Sequence, residues 1–145
     1  MRENKPGFEF NVTLPAANFG KTLNGDYQST GGWVKQVIDD DFSVAQYVSP
    51  QYFVDVIDDA KLHLGALIHP EVKGERVWGA AEPYNWNQVL GIVKELFPGK
   101  KVSDGGADQG ADLGTVPQER SVWLLNELGQ NGWTSLRESL RRDYA

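Results

Sequence analysis

The sequence has 145 residues, of which 40% are apolar and 23% are charged, and its formal net charge is −6. This composition is typical of a folded chain, and the acidic balance with scattered basic residues argues against a nucleic-acid partner. The sequence contains no cysteine, which excludes disulfides, thiolate nucleophiles and Cys-ligated zinc.

The distribution of apolar residues also bears on location. No apolar run approaches the roughly 18 residues that span a bilayer, so we expect no membrane segment. The N-terminal residues have no apolar core of the kind found in secretory signals. Together with the lack of cysteine, these features predict a cytoplasmic protein.

The first third of the sequence predicts one strand and one complete helix. Residues 1–7 are typical of a helix end that runs into a Pro-Gly break. Alternating apolar residues from Phe8 to Leu14 predict a strand, which Pro15 ends. Residues 16–30 predict a long loop, and the helical spacing of apolar residues from Trp33 to Ile38 predicts a helix.

The middle of the sequence predicts a strand followed by a helix. The strand covers Tyr52–Val56, and the helix runs from about Asp58 to Ile68, where Pro70 ends it. Arg76–Trp78 is a short strand candidate. Because strands are separated by helices, this order favours an α/β or α+β fold over an all-β fold.

The last three helices are predicted from N-cap residues that are followed three positions later by Gln or Glu. These pairs are Asn85 with Gln88, Thr115 with Gln118, and Ser135 with Glu138. We expect the first of these helices to end at Phe97 and the second at Leu128. Residues 102–114 between them predict a loop.

A glycine series within this loop is the first candidate site. Gly106, Gly110 and Gly114 are spaced four and four apart, and no predicted strand precedes them. A dinucleotide fingerprint needs the spacing G-x-G-x-x-G between a strand and a helix. The series therefore indicates a surface loop and not a phosphate site.

Two acidic clusters are the second candidate, and neither has the spacing of a calcium-binding loop. Asp39–Asp41 is expected to cap a helix end or to be solvated. Asp55, Asp58 and Asp59 are expected to orient the strand-to-helix turn, with Asp58 or Asp59 near the positive end of the helix dipole. We predict no metal site.

Histidine and aromatic residues are the remaining candidates. His63 and His69 are six residues apart and lie on different faces of one helix, so structural roles are favoured. The aromatic residues fit either a packed core or the wall of an apolar substrate pocket. This aromatic set is Trp33, Tyr52, Phe53, Trp78, Trp86 and Trp133.

An ordered series of segments resembles the extended short-chain dehydrogenases/reductases. The segments are Leu14–Gly20, Gln28–Trp33, Pro50–Gly65, Arg76–Ala80 with Trp86–Leu90, Asp108–Leu113 and Gly132–Ser139. Pro50–Gly65 is similar to the family's strand-helix block of the form F-V-D-V-x-D-x-A-x-x-H. The order and spacing are most similar to the C-terminal half of the fungal and yeast NADPH-dependent aldehyde/ketone reductases, within the NAD-dependent epimerase/dehydratase superfamily.

The resemblance implies an α/β fold made of the C-terminal portion of an extended Rossmann-type reductase, with the last sheet strands and a small, mostly helical substrate lobe. Residues 1–145 would form a single partial domain. Residues 1–20 would be the end of the Rossmann core with the nicotinamide-side loop. Residues 21–145 would form the substrate-binding lobe, with a returning strand-helix block at 52–69. The N-terminal dinucleotide-binding half would be missing.

The resemblance also implies a cofactor, NADP, a small-molecule carbonyl substrate and a role in secondary metabolism. Pro15, Ala16, Ala17 and Asn18 correspond to the stretch that passes beside the nicotinamide, so they are the candidate cofactor contacts. The family's catalytic Tyr-x-x-x-Lys pair and its Gly-rich turn do not map onto this sequence, in which no tyrosine has a lysine four residues later. We therefore predict no catalytic residues here and no turnover by this chain alone.

Two other functions stay open at this point. The chain could be a non-catalytic or repurposed module that binds a small molecule or a partner, since the aromatic residues would suit an apolar ligand. It could also be a cofactor-free isomerase or cyclase that uses Asp or His groups. An exposed sheet edge would favour self-association or pairing with a reductase half.

Overall fold

The computed structural model describes residues 7–105 and 109–145. The helix end predicted at residues 1–7 therefore lies, except for Gly7, outside the described residues. Gly106 of the glycine series and Asp108 of the resembling segments also lie outside them. None of the helices in the described part combines the length and the hydropathy that a membrane span requires.

Five short strands and six helices follow one another in the described residues. The strands are β1 (Val12–Pro15), β2 (Ala17–Phe19), β3 (Gln51–Asp55), β4 (Arg76–Gly79) and β5 (Glu82–Tyr84). The helices are α1 (Ser29–Ile38), α2 (Val44–Tyr47), α3 (Val56–Ile68), α4 (Trp86–Leu96), α5 (Glu119–Glu127) and α6 (Leu136–Tyr144). The mixture of parallel strands and helices confirms the predicted α/β class.

The strands form two separate small sheets. β1 and β4 are parallel, in the register that pairs Val12 with Arg76 and Pro15 with Gly79. The second sheet has the order β2-β3-β5, in which β2 and β3 are parallel and β3 and β5 are antiparallel. The chain passes between the sheets three times in the described residues: directly at Ala16, through α3 between β3 and β4, and directly again at Ala80–Ala81.

Each sheet has its own apolar core. The larger core packs the second sheet against α1, α4 and α6, and its largest fully buried side chains are Phe19, Phe53, Tyr84 and Trp86. The smaller core lies between the first sheet and the helices α3 and α5. Its buried residues are Leu62, Ala66, Val72, Val77, Leu124 and Leu125.

The first strand is shorter than predicted. β1 begins at Val12, whereas Phe8 and Phe10 are exposed and unpaired in the structure. The Asn11 side chain gives the reason, because its Nδ2 donates to the carbonyl oxygens of Ala66 and Val72 at 2.8 and 2.9 Å. These bonds fix the chain at Asn11, directly before the strand. The alternating residues that precede Asn11 therefore have no partner strand among the described residues.

Two strands were not predicted from the sequence. β2 and β5 have three residues each, which is too short to display a periodicity, and β5 contains Pro83. Pro15, predicted to stop β1, is instead its last paired residue, opposite Gly79. Proline is tolerated there because it stands at the end of the strand.

The capping predictions are partly confirmed. Asn85 and Gln88 form a reciprocal capping box, with N–H···O distances of 2.8 and 2.9 Å. Ser135 caps α6 by accepting from the backbone N–H of Glu138. The pairing of Thr115 with Gln118 is wrong, because α5 begins only after Gln118.

The side chain of Gln118 has another role. It stands at the N-cap position of α5 without making a capping bond. Its Nε2 donates to the carbonyl oxygens of Ala80 and Ala81, at 2.7 and 2.9 Å. It thus anchors α5 to the second direct crossing between the sheets.

Tyr84 makes the larger core sensitive to alkaline pH. Its ring is buried, its hydroxyl has no hydrogen-bond partner in the described part of the chain, and burial raises the pKa of Tyr84 above its ordinary value of 10. Since the unfolded chain would lose this proton first, we expect the free energy of unfolding to fall as the pH rises above 10. Urea unfolding at pH 9 and pH 11 measures this fall. Tyr84→Phe should lose part of the pH dependence, and an identical dependence in that variant would contradict the assignment.

Candidate functional site

The segment that resembles the family's nicotinamide-side loop lies where the two sheets meet. Pro15 ends β1, Ala16 makes the crossing, and Ala17 and Asn18 begin β2. The backbone N–H of Ala16 donates to the carbonyl oxygen of Gly79 at 2.8 Å. Because β1 and β4 are parallel, their carboxyl ends lie at the same end of the sheet. Open α/β sheets bind ligands at that end.

The four predicted cofactor contacts do not share one cavity. Pro15 and Ala16 line an apolar pocket, whereas Asn18 lines a separate polar one. Ala17 is only 3% exposed and belongs to the larger core. The structure thus divides the predicted site into two parts, on either side of the crossing.

The apolar pocket, here called the Trp78 pocket, has a volume of about 450 Å³. Trp78, Tyr52 and Val116 contribute to its walls beside Pro15 and Ala16. The indole of Trp78 is 37% exposed, although it lies on a strand. A pocket with apolar and aromatic walls and few polar groups is suited to a small organic ligand.

A hydrogen bond fixes one wall of the Trp78 pocket. Tyr52 Oη donates to the carbonyl oxygen of Gly114 at 3.1 Å. This bond holds the loop before α5 against β3, so that Asp112 and Val116 reach the pocket. The loop itself has no regular secondary structure in its described residues, 101–105 and 109–118.

The aromatic residues separate into core and pocket groups. Phe53 and Trp86 are fully buried, and Trp33 and Trp133 pack against the larger core from its margin. Among the six candidates, Tyr52 and Trp78 line the Trp78 pocket. The structure therefore places part of the set in the core and part along an apolar pocket.

The polar pocket, here called the Asn18 pocket, has a volume of about 340 Å³. Its walls come from Asn18, from Gly20, from the start of α1 and from Asp59 in the first turn of α3. Thr30 Oγ1 donates to the carbonyl oxygen of Asn18 at 2.6 Å and thereby joins α1 to β2. The side-chain Oδ1 atoms of Asn18 and Asp59 are buried and accept no hydrogen bond from the described residues, although His63 Nδ1 lies 3.5 Å from Asp59 Oδ1.

Asp59 has an unusual environment for a carboxyl group. Burial raises the pKa of Asp59 above its ordinary value, while the nearby His63 and the Asn18 amide act in the opposite direction. The neutral form is therefore favoured more than in a solvated aspartate. A carboxyl of this kind, next to an unpaired amide oxygen, can either donate or accept a hydrogen bond from a ligand.

Asp55 and Asp58 serve the structure, as the sequence predicted. Asp55 caps α3 by accepting from the N–H of Ile57 at 2.8 Å, and it pairs with Arg142 at 2.7 Å. Asp58 is fully buried and accepts from the backbone N–H and the hydroxyl of Thr134, at 2.7 and 2.9 Å. Neither carboxylate faces the two pockets.

The remaining candidates line neither pocket. His63 is exposed, and His69 ends α3 with its ring edge-on to Trp123 at 4.4 Å between centroids. Asp39–Asp41 is exposed at the end of α1, and Gly110 and Gly114 lie in the loop before α5. No cluster of His, Asp or Glu suited to a metal ion occurs among residues 7–105 and 109–145.

Sequence reasoning placed Gly20 and residues 29–31 in two segments that resemble the family, Leu14–Gly20 and Gln28–Trp33, but predicted no contact between them. Gly20, Ser29, Thr30 and Gly31 approach the Asn18 pocket from two ends of a segment that was predicted to be a plain loop. The two backbones approach each other closely, since a Cβ at Gly31 would lie 3.0 Å from the carbonyl oxygen of Gly20. Glycine at both ends of a polar segment could have indicated this contact.

Known proteins align with nearly all of this chain, although no family model matches it. Aldehyde reductase 2 of Sporidiobolus salmonicolor is 37% identical over 144 residues, which cover 97% of this chain and 42% of that protein. A ketoreductase of Penicillium rubens is also 37% identical, over 97% of this chain and 43% of its own length. The chain thus spans less than half the length of these relatives.

A solved structure gives the same picture for the fold. The crystal structure of Gre2 from Candida albicans in complex with NADPH matches with a TM-score of 0.75 and 21% identity, over 96% of this chain and 44% of that one. The predicted resemblance is confirmed by these matches. The chain is homologous to the aldehyde and ketone reductases of the extended short-chain dehydrogenase/reductase superfamily and corresponds to their C-terminal half.

Proposed function

We propose that this chain forms the substrate-side part of an NADPH-dependent aldehyde or ketone reductase. The observation that carries the proposal is the Trp78 pocket, which adjoins Pro15 and Ala16 at the carboxyl ends of two parallel strands. In this function a second stretch of polypeptide, either joined to the chain or separate, supplies the dinucleotide-binding sheet and the catalytic groups. The chain supplies the substrate pocket and one wall of the cofactor site.

The free edge of β1 supports the need for that second stretch. The N–H groups of Val12 and Ala16 point to β4, so the backbone polar groups of Thr13, between them, point to the opposite edge. No strand pairs with this edge within the described residues. Parallel sheets are normally covered on both faces, and a two-stranded parallel pair is a small part of such a sheet.

Exposed apolar side chains lie beside the same edge. Phe10 is 64% exposed and Leu67 is 82% exposed, and both line a groove between β1 and α3. Leaving such large side chains in water forgoes about 1.5–3 kcal/mol each. A further parallel strand with its own apolar neighbours would cover them, and we propose this edge as the contact with the dinucleotide-binding half.

The residues of the chain fit the proposed cofactor at one point. The unpaired, buried Oδ1 of Asn18 needs a hydrogen-bond donor, and the carboxamide or the ribose hydroxyls of NADPH carry such donors. When bound, the cofactor would supply a hydride to the carbonyl carbon. Pro15 and Ala16 would form the apolar wall that places the carbonyl group, while Trp78 and Tyr52 would exclude water from it.

A chimaera tests the proposed function. This chain would replace the corresponding 42% of the Sporidiobolus aldehyde reductase, whose remaining part carries its own N-terminal region. We expect NADPH oxidation that depends on an aromatic aldehyde or ketone, and none from this chain alone. Trp78→Ala should raise the KM for the carbonyl about tenfold through lost apolar contact, with a smaller effect on the KM for NADPH.

Trp123→Ala is the matched control, because Trp123 packs on His69 and Arg120 and does not line the Trp78 pocket. It should leave the KM for the carbonyl unchanged. A folded chimaera that binds no NADPH would count against the proposal. So would aldehyde-dependent oxidation of NADPH by this chain alone.

The Trp78 pocket also supports a second candidate, a module that binds a small apolar ligand without a cofactor. Titration of the isolated chain with aromatic aldehydes, followed by tryptophan fluorescence, separates the two functions. Saturable quenching that Trp78→Ala abolishes and that NADPH does not affect would favour the module. Asp55 and Asp58 are held by Arg142 and Thr134, so these two carboxylates do not support the isomerase or cyclase alternative.

A further inference from the structure

The C-terminal turn of α6 is fastened to two glycines that line the Asn18 pocket. Tyr144 Oη accepts a hydrogen bond from the N–H of Gly20 at 3.1 Å and donates one to the carbonyl oxygen of Gly31 at 3.0 Å. These glycines lie on the two segments that bound the pocket. A single hydroxyl group therefore bridges both of its walls, although it is 124 residues away from Gly20 in sequence.

A second contact fixes the same turn. The ring of Tyr144 stacks on Tyr27 with 4.8 Å between centroids. Tyr27 Oη donates to the carbonyl oxygen of Asp143 at 2.7 Å. The segment from residue 20 to residue 31 is thus attached to α6 at its two ends and in its middle.

The other side of the turn is anchored in the strand-helix block. Arg142 binds both Asp143 and the fully buried Asp55, at 2.6 and 2.7 Å. Asp55 also caps α3, whose first turn carries Asp59 into the Asn18 pocket. The last turn of α6 therefore connects three walls of the pocket, namely β2, the start of α1 and the start of α3.

The backbones leave little room at this place. Gly20 has φ +143°, and a Cβ built there would lie 2.3 Å from Val56 Cγ1. A Cβ at Gly31 would lie 3.0 Å from the carbonyl oxygen of Gly20 and 3.5 Å from Tyr144 Oη. The two glycines permit the close approach, and the Tyr144 hydroxyl supplies the hydrogen bonds that hold it.

The hydroxyl keeps its proton over the physiological range. Burial raises the pKa of Tyr144 above its ordinary value of 10, and the hydrogen bond from Gly20 opposes this only in part. The neutral hydroxyl can donate to Gly31 and accept from Gly20 at the same time. Both bonds therefore persist across the pH range in which a cell would use the protein.

We propose that Tyr144 is a positioning residue that sets the width of the Asn18 pocket and thereby the binding of a ligand there. Loss of its hydroxyl releases Gly20 from Gly31 and widens the pocket without removing any of its lining side chains. The identity of the ligand rests on the proposed function, in which NADPH contacts Asn18. The effect on the pocket walls does not depend on that function.

Amide hydrogen exchange of the isolated chain tests the effect on the walls. Tyr144→Phe keeps the ring stacked on Tyr27 and removes only the hydroxyl. We expect the Gly20 amide and the amides at the start of α1 to exchange roughly tenfold faster or more, in line with two lost hydrogen bonds. The amides of α4 should be unchanged, because the hydrogen bonds of the Tyr144 hydroxyl described in the structure go to Gly20 and Gly31.

Tyr47→Phe is the matched control, since the exposed Tyr47 hydroxyl bonds only to the side chain of Gln36 among the described residues. It should leave exchange at Gly20 unchanged. Unaltered exchange at Gly20 in Tyr144→Phe, or a uniform acceleration over the whole chain, would overturn the proposal. A uniform acceleration would indicate a general loss of stability instead of a local role.

The chimaera described above tests the effect on the ligand. In Tyr144→Phe we expect the KM for NADPH to rise about threefold to tenfold with kcat nearly constant, and no change in Tyr47→Phe. A constant KM with accelerated exchange at Gly20 would refute the role in ligand binding. A wild-type chimaera that binds no NADPH would contradict the proposed function alone, because the exchange experiment still decides whether Tyr144 holds the pocket walls.

Discussion

Replacement of Asp58 by alanine is expected to lower the free energy of unfolding by about 3–4 kcal/mol. Asp58 is fully buried and accepts hydrogen bonds from Thr134 N, Thr134 Oγ1 and Gln130 Nε2, at 2.7, 2.9 and 2.8 Å. Without the carboxylate, the two donors of Thr134 are left unpaired in the interior. The connection between α3 and the segment that leads into α6 would then be lost.

Urea unfolding followed by far-UV circular dichroism measures this loss. Asp104→Ala is the matched control, since it removes the same charge from an exposed side chain, which pairs with Lys94 at 3.6 Å. Exposed ion pairs of this kind contribute about 0–1 kcal/mol, so the control should unfold almost like the wild type. Equal stability of the two variants would show that Asp58 does not hold the segment.

Replacement of Trp86 by alanine is expected to cost about 3–5 kcal/mol of unfolding free energy. The indole is fully buried in the larger core, edge-on to Tyr84 at 5.3 Å and to Trp33 at 6.2 Å between centroids. Its Nε1 donates to the carbonyl oxygen of Val48 at 2.8 Å. The substitution removes the largest side chain of the core and also leaves that carbonyl without its partner.

Trp86→Phe separates the two contributions. The phenyl ring keeps most of the apolar contact, whereas the carbonyl oxygen of Val48 still loses its donor. We expect this variant to lose about 1–3 kcal/mol, less than Trp86→Ala, in the same urea experiment. A loss below about 1 kcal/mol in Trp86→Ala would mean that the core can collapse around the vacancy, which its packing does not suggest.

Local signals predicted much of the fold correctly. The strand-helix block appears as β3 and α3, within two residues of the predicted bounds, because strand alternation, an acidic first turn and Pro70 coincide there. The capping box at Asn85 is likewise encoded within four consecutive residues. Such features need no knowledge of distant parts of the chain.

The features that the sequence did not predict depend on contacts between distant segments. β2 and β5 acquire their strand conformation by pairing with β3, and three residues carry no period of their own. Asn11 shortens β1 through bonds to residues more than fifty positions away. Residue spacing cannot express such contacts, since they depend on which segments the fold brings together.

The candidate site was likewise predicted in its local features and not in those that depend on distant contacts. The segment Pro15–Asn18 was found by its resemblance, and Tyr52 and Trp78 were found as aromatic residues that could serve either core or pocket. That Ala17 is buried, and that Asn18 faces another cavity, follows from the crossing between the sheets. The bridge made by Tyr144 joins distant residues and left no mark in the sequence.

The two direct connections between the sheets consist only of alanines, at Ala16 and at Ala80–Ala81, so neither joint has room for an additional residue. One extra residue at Ala16 would invert the alternation of the next strand and turn the side chains of Ala17 and Phe19 from the interior towards water. Changes in chain length should therefore be accommodated in the loops, such as residues 21–28, and rejected at the joint. In a library of random single-residue insertions, folded variants should carry insertions in loops such as residues 21–28 and none at Ala16.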